Sequence, residues 1–248
     1  MIRRQDRGAV AMIQIEHGKA NALDVVLLER LSSELDELDP EARAVVLTGT
    51  DQMFSAGIDL PHLLEAGPDY TFALIGALNG LLERFTRLSV PTVAAINGHA
   101  IAGGFVLACA CDFRLMARGA GKVGLTELQV GVPFPPLALE VVRSAIGDRR
   151  ARQMVIQARL YSADEAAERE LIDGLKDPEV LVEEALKVAA KMAEIPVAAF
   201  DLSKRQLMAP LWQRLSSLDD GHEEEVRQTW VADATAEVMQ RFVRERIG

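Results

Sequence analysis

Cysteine is nearly absent: Cys109 and Cys111, one residue apart, are the two thiols in a chain of 248 residues. Two thiols build no disulfide framework, so reduced, buried small side chains and a cytoplasmic location are expected. Long apolar runs are also missing. No segment reaches about 18 residues without a charge or a Gly or Pro break, so no membrane-spanning helix is expected. Residues 1–7 carry charges with no apolar run behind them, so no signal peptide is expected. The last residues, Glu245-Arg246-Ile247-Gly248, are no peroxisomal address. The four histidines (His17, His62, His99, His222) lack a ligand spacing such as H-E-x-x-H, and no metal site is expected. Positive charge is short as well: 27 Lys and Arg against 37 Asp and Glu leave a net charge of -10. Over most of its surface such a chain repels phosphate, which argues against nucleic acid and anionic membrane as partners. A small anionic ligand, needing only a few local donors, remains open.

What is present is an ordinary globular composition, 49% hydrophobic and 26% charged. A chain of this mass is expected to expose roughly 11,000 Å² when folded, burying about 70% of its unfolded surface. Its first half alternates strand and helix signals. Residues 9–15 read as a strand, and Asp24 as the N-cap of a helix carrying Leu28, Leu31, Leu35 and Leu38, with Pro40 past its end. Short apolar runs at 44–47, 93–96 and 113–116 read as buried strands. Helices are expected at 71–88 and 105–110. After residues 131–136 helical periodicity takes over, at 137–146, 149–158, 163–168, 180–193, 198–207 and 223–246. The pattern is α/β with a C-terminal helical region. With no Gly/Ser-rich linker, one core spanning 1–195 with a helical appendage over 196–248 is favoured over two independent domains.

Three segments carry candidate chemistry. Phe54-Ser-Ala-Gly-Ile-Asp-Leu60 follows a buried strand and a turn, and its small residues let backbone approach a ligand. In Asn97-Gly-His-Ala-Ile-Ala-Gly-Gly104 the two glycines sit where a loop becomes a helix. The first turn of a helix has unpaired N–H donors that can hold an oxygen gaining negative charge, although Gly-Gly equally permits tight packing. It is neither a dinucleotide fingerprint nor a P-loop. In Gly124-Leu-Thr-Glu-Leu-Gln-Val-Gly-Val-Pro133, Glu127 is one carboxylate among apolar residues. Such surroundings disfavour its charged form and suit it to proton transfer; a surface Glu at the end of an element is the bland alternative.

Taken together, Phe54-Ser-Ala-Gly-Ile-Asp-Leu60, Ile96-Asn-Gly-x-x-x-Ala-Gly-Gly104, Cys111-Asp-x-Arg114 and Gly124-Leu-x-Glu127-x-x-x-Gly131 resemble, in order and spacing, the crotonase (enoyl-CoA hydratase/isomerase) superfamily. The likeness extends from Gly8-Ala9-Val10 and Lys19-Ala-Asn-Ala-Leu23 through Ala163-Asp-Glu-Ala166 and Leu171-Ile-Asp173 into the C-terminal helices. The resemblance implies a superhelix of β-β-α turns and a homotrimer or hexamer in which the C-terminal helices help assembly. It implies an acyl-CoA thioester as ligand, with coenzyme A arriving as part of the substrate and no permanently bound cofactor. The oxyanion donors fall on the backbone N–H groups of Ile58 and Gly103. The CoA-holding segments fall on Lys19, Ala20 and Asn21 and on Ala56, Gly57, Ile58, Asp59 and Leu60, with Gly103 and Gly104 beside them.

The family's hydratases use two glutamates. One position corresponds to Glu127; the other is occupied here by Val106. Hydration needs water activated near one carbon and a proton delivered to the next, whereas a single carboxylate suits a double-bond shift. The motifs look most like the 3,2-enoyl-CoA isomerase branch, which implies a role in fatty acid oxidation. Glu127 would move the proton, while Val106, with Pro133 and Phe134, would line the acyl chain. Two rivals stand beside this reading: a hydratase or other crotonase reaction recruiting Glu65, His62 or Glu140, and a non-catalytic acyl-CoA-binding scaffold. Asp112 and Arg114 are expected to serve structure, Trp212 and Trp230 to pack helices or subunit contacts, and His222 with Glu223 to Glu225 to form a solvated helix start.

Overall fold

The computed structural model describes residues 1–246 and exposes 11745 Å². Its strands fall into two sheets. β1 (Ile2–Arg7) and β2 (Val10–Ile15) form an antiparallel hairpin that turns at Gly8, whose φ of +63° is glycine's region. β3 (Ala44–Thr48), β5 (Thr92–Ile96), β7 (Phe113–Ala117) and β10 (Gly174–Lys176) continue that sheet in parallel. A second sheet holds β4 (Met53–Ser55), β6 (His99–Ile101) and β8 (Lys122–Gly124) in parallel, with β9 (Leu160–Ser162) antiparallel at its edge. Three times the chain runs through a strand of the large sheet, a short strand of the small one, and then a helix. This is the repeated β-β-α superhelix expected above.

The intervening helices are α1 (Val25–Asp36), α2 (Leu60–Ala66), α3 (Pro68–Arg87), α4 (Gly103–Ala110), α5 (Pro136–Ile146), α6 (Asp148–Gln157), α7 (Ala163–Glu168) and α8 (Leu181–Met192). A single 3₁₀ turn spans Glu127–Val130. Asp24 does cap α1, its carboxylate accepting from Leu27 N–H at 2.7 Å. The large sheet is apolar on both faces. Ile13, Ile15, Val45, Leu47, Ala94 and Ile96 point into the main core, and the alternate residues Val10, Met12, Ala44, Val46, Val93 and Ala95 point the other way. α8 covers that second face with Leu181, Ala185, Leu186 and Ala189.

The C-terminal region differs from expectation. The helix expected at 198–207 is α9 (Val197–Ser216), which continues through Pro210 because Leu211 beyond it is buried in the main core. The single helix expected at 223–246 is two, α10 (Asp220–Val231) and α11 (Asp233–Arg246), parted where Ala232 turns extended at φ -66°, ψ 142°. The break lets Trp230 and Met239 both enter the main core beside Val226, so this region packs on its own chain rather than projecting from it. No described helix is long and apolar enough to cross a membrane. Both cysteines are buried, and loss of solvation pushes each thiol up to about 12, so neither is nucleophilic at neutral pH. Trp212 lies under Arg87, whose guanidinium carbon is 4.0 Å from the ring centre.

Two glycines separate packing from propensity. A Cβ on Gly104 would lie 2.3 Å from the Ser55 carbonyl oxygen, whereas one on Gly76, exposed on α3, meets nothing. Gly104→Ala is expected to cost ~3 kcal/mol or more, and Gly76→Ala to stabilise by ~0.5–1 kcal/mol, both read from urea unfolding.

Candidate functional site

The small sheet brings the three candidate segments together. β4, β6 and β8 are adjacent and parallel, and Ile58, Gly103 and Glu127 follow their C-terminal ends by three, two and three residues. The carboxyl edge of parallel strands is where an open α/β sheet offers a crevice. A Cβ on Gly57 would sit 3.1 Å from Gly103 N, and one on Gly103 3.9 Å from Ile58 Cγ1, so the first two segments are in van der Waals contact.

The hydrogen bonds of these loops single out two donors. Ala56 N–H donates to Ala20 O (3.0 Å), Gly57 N–H to Ser55 Oγ (3.2 Å) and Asp59 N–H to Leu23 O (3.1 Å). Ile58 N–H has no backbone partner among the described residues; it faces away from the bridge its neighbours make with Leu23. In the second loop Ala102 N–H donates to Gly124 O (2.7 Å), and Phe105 and Val106 N–H both donate to Ala102 O. Gly103 N–H, at the first position of α4, has no backbone partner there either. Ala102 holds φ +51° and ψ -125°, a conformation an L residue adopts only under constraint. That twist, anchored by Gly124, turns Gly103 N–H out of the β6 ladder.

The third segment supplies an acid in an unusual state. Glu127 opens the 3₁₀ turn, is 8% exposed, and its Oε2 is buried with no hydrogen-bond partner among the described residues. Burial pushes its carboxyl up to about 8, only partly opposed by backbone hydrogen bonds at Glu127 and Thr126. Val106, on α4, is 1% exposed and apolar. Phe134 is buried and Pro133 half-buried, and Trp230 Nε1–H donates to Pro133 O at 2.9 Å.

The other expected residues divide between contact and support. Lys19 is exposed and has no ion pair among the described residues. Ala20 and Asn21 are tied to the first loop. The Asn21 side chain, 1% exposed, accepts from His17 N–H and donates to Met53 O, which consumes it in holding the turn. Asp59 caps α2 by accepting from His62 N–H, and Leu60 begins that helix. His62 and Glu65 are exposed on α2. Glu140 is not a spare acid: it is buried between Arg143 and Arg214, bridging α5 and α9. Asp112 accepts from the N–H and hydroxyl of Thr92, so its role is structural.

Sequence reasoning gave no role at the site to Ser55, Leu23 or the C-terminal helices. Ser55 Oγ, fully buried, donates to Asn21 O while accepting from Gly57 N–H. Ser55 lies inside a quoted motif and so was visible, but its two-loop role was not. α11 packs on both α2 and the 3₁₀ turn, and Val238 lies 3.3 Å from a Cβ built on Gly131.

This arrangement can be compared with known proteins. Residues 5–247 match the family model described as enoyl-CoA hydratase/isomerase. The chain belongs to the enoyl-CoA hydratase/isomerase family. It is 35% identical over 210 residues to a putative enoyl-CoA hydratase of Thermus thermophilus, covering 82% of each chain. It is 34% identical over 189 residues to a probable enoyl-CoA hydratase of Bacillus subtilis, covering 75% of this chain and 73% of that one. The crystal structure of the human mitochondrial delta3-delta2-enoyl-CoA isomerase superposes with a TM-score of 0.92 at 26% identity, covering 98% of this chain and 97% of the other. The crotonase fold expected from the motifs is therefore the observed one.

The raised carboxyl makes Glu127 costly to ionise in the folded state. Unfolded, it ionises near 4.5; folded, near 8. Between those values the native state holds the extra proton, so this group's favourable contribution falls as pH rises through the window. Glu127→Gln is expected to stabilise the fold by ~2 kcal/mol at pH 8 and to change little at pH 4.5, measured by thermal unfolding across pH.

Proposed function

We propose that this family member moves the double bond of a 3-enoyl-CoA to the 2-position. One observation carries the proposal: Glu127 is, among the described residues, the one buried carboxylate with an unpartnered oxygen, and it shares a sheet edge with two unspent backbone N–H donors. The thioester oxygen would accept from Ile58 and Gly103 N–H. Glu127 in its ionised form would take a proton from C2, breaking that C–H bond and spreading the charge over a dienolate. The same proton, returned to C4, leaves the double bond between C2 and C3. Each oxyanion donor is worth about 3–4 kcal/mol in comparable sites. An apolar setting keeps the borrowed proton from exchanging with bulk water. The likeness in fold to the human isomerase supports this reading.

Coenzyme A would enter with the substrate, and Lys19, exposed and next to Ala20, whose carbonyl holds the first loop, would meet its phosphates. Because Ala56, Gly57 and Asp59 N–H are already bonded, Ala56, Asp59 and Leu60 would contact the nucleotide through carbonyls and side chains, and Gly57 by leaving room for its close approach. Assembly into a homotrimer or hexamer belongs to the same proposal. Leu128 and Ile156, exposed apolar side chains on the 3₁₀ turn and on α6, are available for it.

The names of the bacterial relatives favour hydration as the alternative. That reaction calls for a second acid, and the α4 position holds Val106. Purified protein mixed with paired 3-enoyl-CoA and 2-enoyl-CoA distinguishes the readings by product analysis. Bond shift without rapid water addition is expected; rapid hydration would favour the alternative, and tight binding without turnover a scaffold. Glu127→Gln is expected to lower isomerase turnover by at least about a thousandfold, and wild-type turnover in that variant would remove Glu127 from the mechanism. For the wild type, kcat/KM should rise with pH and level off above about 8, as the reactive carboxylate form fills.

A further inference from the structure

The 3₁₀ turn that carries Glu127 is covered by the far end of the chain. Val132 N–H closes back on Glu127 O at 3.2 Å, and Gly131 before it holds a φ of +80°. The chain then runs from buried Val132 through Pro133 to buried Phe134. Trp230 of α10 is itself buried and donates from Nε1 to Pro133 O at 2.9 Å, across 97 residues of sequence. Among the described residues it is the one hydrogen bond or ion pair that joins a side chain of α10 or α11 to residues 1–218. On α11, Val238 lies 3.3 Å from a Cβ built on Gly131, and Met239 enters the main core with Val132, Phe134 and Trp230.

What this cover excludes is water. Glu127 Oε2 has no hydrogen-bond partner among the described residues, and loss of solvation is the main influence on its carboxyl. The helices around the turn bring no counter-charge. Arg152 of α6 and Glu237 and Arg241 of α11 are exposed, Arg159 beyond α6 is paired with Glu165, and Arg227 of α10 lies over the Phe72 ring. The state of the acid therefore depends on how complete the cover is.

We propose, on the reading of Glu127 as the proton-moving acid, that Trp230 is its positioning residue: the bond to Pro133 holds α10 and α11 closed over the 3₁₀ turn and keeps the carboxyl dry. Without that bond the Pro133 carbonyl is left to pair with water, which opens a wet path along 131–134 to the turn. Hydration favours the carboxylate, so the carboxyl falls toward its ordinary range. The plateau of kcat/KM then begins at lower pH. It also stands lower, because a weaker base takes the C2 proton less readily.

Trp230→Phe keeps an aromatic ring and removes the N–H. Infrared titration of the full chain follows the carboxyl directly, its band assigned by its loss in Glu127→Gln. A midpoint of about 8 is expected for the wild type. In Trp230→Phe it should fall by at least about one pH unit, a tenfold change in the protonation equilibrium, and the pH profile of isomerase turnover should shift with it. Val238→Ala, which thins the same cover, should move the midpoint the same way by at least about 0.3 unit. Trp212→Phe, on α9 under Arg87, should leave it in place. A wild-type midpoint of about 8 that stays put in both Trp230→Phe and Val238→Ala overturns the role given to Trp230 and leaves that of Glu127 standing. An equal fall in Trp212→Phe does the same, since it marks general loosening. A wild-type midpoint in the ordinary carboxylate range removes both roles. Should Trp230→Phe fail to fold, Val238→Ala decides alone.

Discussion

Main chain must touch main chain where α4 leaves the small sheet. A Cβ on Gly104 would collide with the Ser55 carbonyl, and a Cβ on Gly57 would come within 2.8 Å of the Ile101 carbonyl. No side chain fits between the two loops, so their relative position is set by main-chain contact, while the Ser55 hydroxyl ties Gly57 N–H of the first loop to Asn21 O of the preceding segment. Much follows from that contact. Ala102 is forced to a left-handed φ, Gly103 N–H leaves its ladder, and Ile58 N–H comes to lie beside it. Donors fixed this way reorganise little when charge develops in front of them.

Desolvation, more than charge, sets the acid. Three buried glutamates show how differently the same side chain can be housed. Glu34 is paired with Arg30 along α1, and Glu140 is held by Arg143 and Arg214. Glu127 has no paired cation among the described residues, and its carboxyl rises to about 8 through loss of water. The first two hold helices; the third keeps its proton at neutral pH. The overall charge of -10 has little bearing on it, since charges at the exposed surface are screened within about 10 Å at ordinary salt.

Legibility in the sequence followed length and chemical uniqueness. Long amphipathic helices such as α1 and α3, and strands buried on both faces such as β3 and β5, declared themselves through periodicity or apolar runs. β4, β6, β8, β9 and β10, three residues each, are too short to show a period, and β1 is an edge strand whose one apolar residue, Ile2, leaves only charge and amide to read. Yet the short strands position the candidate site, so its residues are singled out by ordered motifs rather than by secondary structure. Which N–H groups stay free was not legible at all. That depends on Ala20, Leu23 and Gly124, each distant in sequence from the loop it bonds. The division of the last helix at Ala232 escaped notice because the polar and apolar pattern runs through it unbroken.

The contacts of Trp230 with Pro133 and of Val238 beside Gly131 bear on the order in which the enzyme comes into being. Segments 54–60 and 97–104, which bear the two donors, are synthesised in the first half of the chain. The turn carrying Glu127 rests on helices made last. On a ribosome, then, the donors can be in place long before the carboxylate has its final surroundings. The surroundings of Glu127 are thus complete only once α10 and α11 have been made and docked.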